Sequence, residues 1–138
     1  MVGNQIDLGR NILTALDAGG FPVRSAFWLR RSSAEAPEDW RLVLATPNLS
    51  ADHDARDVYK QMHDIIVERY GSQLSIAEQQ QLLRLLAERV TLVSPSEPLV
   101  SILRMAVGTP PNAVSGIVFR NNVINNVLIE DAYIYRSS

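Results

Sequence analysis

The sequence predicts an α+β fold, a mixed sheet of about five strands with four helices packed on it, in the order α-β-β-α-α-β-α-β-β. Three observations lead there. Four segments repeat apolar residues at helical spacing, and five short runs are rich in β-branched and aromatic residues. Polar, turn-forming connections join the first two and the last two of those runs, whereas helices flank the third. Tight turns give antiparallel neighbours and helical crossovers give parallel ones. Two antiparallel hairpins plus a central strand therefore share one sheet, with the order of its strands left open.

The first helix runs from about Asp7 to Ala18, with Leu8, Ile12 and Leu16 on one stripe, and Gly19-Gly20 stops it. Val23 to Arg31 and Trp40 to Ala45 read as strands, and the polar connection containing Pro37 suits a hairpin loop. Thr46-Pro47-Asn48-Leu49 breaks the second strand. Ser50 is a good N-cap, and Asp52 and Asp54 complement the helix dipole behind it. Val58, Met62, Ile65 and Ile66 give that helix its apolar face, up to Gly71. Ser75-Ile76-Ala77-Glu78 has the form of a capping box before a leucine-rich helix. Arg89 to Val93 is a short strand. Ser96 is the expected cap of a helix from Leu99 to about Val107, closed by Gly108-Thr109-Pro110-Pro111. Val114 to Arg120 and Val127 to Arg136 form the last hairpin around Asn121 to Asn126, with a bulge expected where Glu130-Asp131 interrupts the apolar pattern.

Length and composition fit one globular domain, residues 1–138, with 46% apolar and 20% charged residues. There is no cysteine, so disulfides, thiolate nucleophiles and Cys-based metal sites are excluded. Met1 to Asp7 has neither a basic start nor an apolar run, and no stretch approaches the ~18 apolar residues of a membrane span. The expected location is cytoplasmic, with no membrane partner. The net charge is −2, and twelve arginines with the single Lys60 are scattered rather than clustered, which argues against nucleic acid as a partner.

Gly20-Phe21-Pro22-Val23, Trp40-Arg41-Leu42-Val43-Leu44-Ala45-Thr46-Pro47, Val93-Ser94-Pro95 with Pro98-Leu99-Val100, and Ile129 to Arg136 together resemble a group of short bacterial proteins that carry no assigned activity. The resemblance covers most of the chain and implies a bacterial origin. Its motifs are structural junctions, so it carries no chemistry with it.

The candidate chemistry is sparse. His53 and His63 lie ten residues apart, which on a helix turns one about 80° from the other and about 15 Å along the axis, so they share no site. His53, Asp57, Asp64 and Glu68 instead read as a solvated face. No nucleophile elbow, phosphate loop or metal-ligand spacing appears, so no cofactor and no metal are expected. Glu130 and Asp131 form one acid site only if a bulge reorients them; otherwise they are edge-strand charges that block aggregation. The geometrically richest places are the two strand-to-helix junctions. Parallel strands would open the helix starts near Ser50, His53, Ser94 and Ser96 on one edge, where anions bind. Trp28, Trp40, Tyr133 and Tyr135 with Arg30, Arg41 and Arg136 would suit a stacking platform for single-stranded nucleic acid, although strand aromatics more often pack.

The reading this supports is a non-enzymatic binding or interaction protein, expected to form a homodimer through a sheet edge or an apolar helix face. The alternative is a small hydrolase or anion-binding domain, with Ser50, His53, Ser94 and Ser96, and with Glu130 or Asp131 in reserve.

Overall fold

The computed structural model describes residues 3–31, 39–49, 55–124 and 127–138; the side chains of residues 3, 4, 31, 39, 121–124 and 127–130 are outside that description. The element order is α1 (Gly3–Ala18), β1 (Ser25–Arg31), β2 (Asp39–Ala45), α2 (Ala55–Arg69), a 3₁₀ turn (Gly71–Gln73), α3 (Ile76–Glu88), β3 (Val90–Val93), α4 (Pro98–Ala106), β4 (Ile117–Ile124) and β5 (Val127–Ser137). The predicted α+β class, the four helices and the mixed five-stranded sheet are all present.

The strand order across the sheet is β3-β2-β1-β5-β4. β1 is antiparallel to β2 and to β5, β5 is antiparallel to β4, and β2 and β3 run parallel. The strand lying between the two hairpins in the chain, β3, is thus an edge strand in space. The central position belongs to β1, whose Phe27 and Trp28 are both buried.

Local sequence explains the element ends. α1 finishes in a Schellman arrangement: Gly20 takes φ +75°, the Phe21 amide donates to the Leu16 carbonyl at 3.0 Å, and Leu16 and Phe21 bury together. The capping box of α3 forms as expected, with Glu78 N–H donating to Ser75 Oγ and Ser75 N–H donating to Glu78 Oε1, both at 3.3 Å. The cap expected of Ser96 does not form. Pro98 occupies the first helical position, where its missing N–H costs nothing, so the cap position falls on Glu97 and carries no side-chain bond. The predicted cap of α2, Ser50, lies outside the described residues.

Layers form on both sheet faces. α1, α2 and α3 cover one face, packing Ile12, Leu16, Met62, Ile66, Leu82 and Leu86 onto Trp28, Leu42, Leu44 and Leu92. α4 covers the other with Val100 and Leu103 against Phe27, Val43, Ala45 and Ile134. No helix among the described residues is long and apolar enough to cross a membrane.

The last hairpin differs from expectation in two ways. Asn121 to Ile124 extend β4 rather than forming the connection, because Asn122, Val123 and Ile124 pair with Ile129, Leu128 and Val127 of β5 and leave only residues 125 and 126 between the strands. The bulge is also elsewhere. β4–β5 pairing runs without a shift past Asp131, whereas the β1–β5 register jumps from Ala26↔Arg136 to Phe27↔Ile134. Tyr135 is the extra residue. The bulge lets the consecutive Tyr135 and Arg136 both reach α1, which a regular strand would forbid.

Candidate functional site

The two strands that lead into these junctions, β2 and β3, end side by side. Parallel β2 and β3 place Ala45 beside Val93, and the Thr46 amide donates to the Val93 carbonyl at 3.0 Å. The side chains there are engaged locally. Thr46 is buried and its Oγ1 accepts from the Asn48 amide, while the Ser94 and Ser96 hydroxyls bond each other at 2.9 Å. The Ser96 amide also donates to Ser94 Oγ, a turn that carries the chain into α4. Ser50 and His53 fall among the residues outside the description, so the fold supplies no geometry for them.

Of Glu130 and Asp131, only Asp131 has a described side chain. The expected bulge is absent from their register, and Asp131 instead binds Arg30 of β1 at 2.8 Å, with Arg120 of β4 at 3.8 Å. This is a charge row across three adjacent strands, the cross-strand pairing that stabilises sheets. The side chain of Glu130 is outside the described residues. His63 is half-exposed and meets Asp64 at 3.6 Å. Among the described residues no group of three His, Asp or Glu side chains is placed to hold a metal.

The stacking platform is overturned by burial. Trp28, Trp40 and Tyr135 are all core residues, because the sheet face that carries them lies under α1, α2 and α3. Two of these aromatics form a structural relay instead. Trp28 Nε1 donates to Tyr135 Oη at 2.9 Å, and Tyr135 Oη donates to the Ile6 carbonyl at 2.6 Å. Gly9 makes room for it, since a Cβ there would meet Tyr135 Oη at 2.5 Å. Burial pushes the Tyr135 hydroxyl up to about 12 against the smaller opposing pull of the Trp28 bond.

Arg136 carries a role that the sequence does not announce. It is fully buried and holds Asp17 in a two-pronged pair, Nη1 to Oδ1 at 3.0 Å and Nη2 to Oδ2 at 2.7 Å. Its Nη1 also donates to the Val23 carbonyl and its Nε to the Ala113 carbonyl, both at 2.9 Å. The pair ties the end of α1 to the end of β5. The sequence holds no local signal for a contact between residues so far apart.

The sheet edges themselves differ. β3 has only four residues, and the carbonyls of Arg89, just before it, and of Val93, at its end, turn toward β2, accepting from the Leu42 and Thr46 amides. The Leu92 amide therefore turns outward, and Tyr59 Oη of α2 accepts from it at 2.8 Å. β4 has eight residues, pairs only with β5 among the described residues, and stands at the opposite edge. On it Val118 is 56% exposed on the face that α1 covers further in, and Arg120 is exposed beside it. One edge is short and stoppered; the other is long and, among the described residues, unpaired on its outer side.

No protein-family model, no curated protein and no solved structure matches this chain.

Proposed function

We propose that the protein is a non-enzymatic interaction protein that works as a homodimer assembled through an edge of its sheet. The observation that carries this reading is the contrast between the two edges. The Leu92 amide on β3 is taken by Tyr59, whereas β4 offers eight residues of edge backbone and a half-exposed Val118. An edge strand of that length with no partner on its outer side among the described residues is the surface on which chains add a further strand. The polar side chains with defined partners support the same reading, since Arg136, Asp17, Tyr135 and Asp131 are all committed to holding the fold.

Light scattering of the purified protein over a wide concentration range tests it, with Val118→Lys as the comparison. Lysine on an edge strand is the usual guard against pairing. The wild type is expected at twice the chain mass and the variant at the chain mass, with matching thermal midpoints. A wild type that stays monomeric up to millimolar concentration, with no partner retained in a pull-down, overturns the reading.

A second reading is favoured by one observation: parallel pairing of Ala45 with Val93 sets the two junctions side by side. On this reading the protein would be a small hydrolase or anion-binding domain using Ser50, His53, Ser94 and Ser96, with Glu130 or Asp131 in reserve. Inorganic phosphate raising the melting temperature of the wild type, but not of His53→Ala or Ser96→Ala, supports it. A flat response removes it.

A further inference from the structure

We infer that the homodimer forms by antiparallel pairing of β4 with β4 of a second copy about a two-fold axis at Asn121, joining two five-stranded sheets into one of ten strands. This rests on the homodimer reading and adds the partner strand, the symmetry and the register.

β4 is the edge that remains for such growth, because β3 is short and its outward Leu92 amide is already bonded. Symmetry then narrows the register. A two-fold axis that pairs strands antiparallel stands perpendicular to the sheet and keeps each face on its own side. Side chains alternate along a strand, so every residue must face a partner residue an even number of positions away. Two centres satisfy this near the middle of β4, Arg120 and Asn121.

The sequence Ile117-Val118-Phe119-Arg120-Asn121-Asn122-Val123-Ile124 separates them. Centring on Arg120 puts two guanidinium groups opposite each other and sets Val118 against Asn122 and Phe119 against Asn121, with Ile117 against Val123 its one apolar match. Like charges placed directly opposite destabilise a sheet. Centring on Asn121 sets Val118 against Ile124 of the second copy, Phe119 against Val123, Arg120 against Asn122, and Asn121 against itself. Apolar meets apolar and polar meets polar from residue 118 to residue 124, and Ile117 falls opposite residue 125, beyond the end of β4. That register also covers Val118, the apolar side chain that the α1 layer leaves 56% exposed.

The absence of cysteine makes the test clean, since any disulfide must come from an introduced residue. Asn121→Cys, Arg120→Cys and Val118→Cys are compared under mild oxidation, each first checked for a wild-type thermal midpoint and for reversal by reductant. Directly opposed strand residues lie within disulfide reach. In the Asn121 register the two copies of residue 118 are displaced by six residues along the ladder, about 20 Å. Asn121→Cys is expected to run mostly as covalent dimer, with Val118→Cys remaining monomeric under denaturing conditions. Strongest cross-linking at Arg120→Cys, or none on β4 while light scattering still gives a dimer, overturns the register and leaves the homodimer standing. A monomer by light scattering overturns both.

Discussion

Replacing Tyr135 with Phe deletes one oxygen from the middle of the relay that docks α1 on the sheet. The hydroxyl accepts from Trp28 Nε1 at 2.9 Å and donates to the Ile6 carbonyl at 2.6 Å. Trp28 is fully buried, so its N–H loses its acceptor where water does not reach, a cost of about 1–3 kcal/mol. The Ile6 carbonyl sits near a helix start and is half-buried, so its loss adds less. About 2–3 kcal/mol in all corresponds to roughly 6–15 °C for a chain of this size. The pH dependence gives a second, independent reading. Burial raises the hydroxyl from 10.0 to about 12, so the folded state favours the neutral form. The stability linked to this buried group is fully present below pH 10 and is lost as pH rises through 12, up to about 2–3 kcal/mol for two pKa units. The Tyr135→Phe variant has no hydroxyl to titrate at that position. Urea unfolding followed by tryptophan fluorescence should show wild type and variant well separated at pH 7 and converging between pH 10 and 12. A separation that stays constant over that range, or is negligible at pH 7, refutes the account of the relay.

Three further predictions rest on single contacts. Asp17→Ala leaves the buried Arg136 guanidinium with half its partners; a broken buried pair costs about 3–5 kcal/mol, reduced to about 2–4 because Asp17 is partly exposed, and thermal unfolding reads it directly. Gly9→Ala gains up to about 1 kcal/mol of helix propensity but forces a Cβ to within 2.5 Å of Tyr135 Oη, so a net loss of about 1–2 kcal/mol is expected, shrinking in the Tyr135→Phe background as a double-mutant cycle would record. Tyr59→Phe removes the acceptor of the Leu92 amide, costing about 1 kcal/mol in urea unfolding and reopening the β3 edge, so light scattering at high concentration should show species above the dimer.

The elements are legible because each carries its own local signal. Gly20 at a helix end, the Ser75–Glu78 box and the alternation in the strands require no knowledge of distant residues. The limits appear where two local preferences compete, as at Ser96, where Pro98 fixes the helix start and so decides which residue caps it. Asn121 and Asn122 read as turn formers, yet both lie in β4, where Asn122 pairs with Ile129 of β5. The Tyr135 bulge is invisible in the sequence for a different reason. It is imposed by what Tyr135 and Arg136 reach on α1, more than a hundred residues earlier in the chain. The candidate site divides in the same way. Parallel junctions follow from the strand–helix alternation, but whether Trp28 and Trp40 stack on a ligand or on α1, α2 and α3 depends on which face the helices choose.

The unequal edges decide what kind of assembly the fold permits. A sheet with two open edges can add copies at both, and strand addition then continues into fibres. Here the parallel strand β3 closes one end, because it is short and Tyr59 takes its Leu92 amide. Only β4 then remains for pairing among the described strands, and a β4–β4 contact uses the same surface on both copies. Such an isologous contact satisfies itself and stops at two. The hydroxyl of Tyr59, on a helix far from the proposed interface, is therefore as important to a defined dimer as Val118 within it. In the proposed dimer the first would confine association to one edge, and the second would give that edge something apolar to bury.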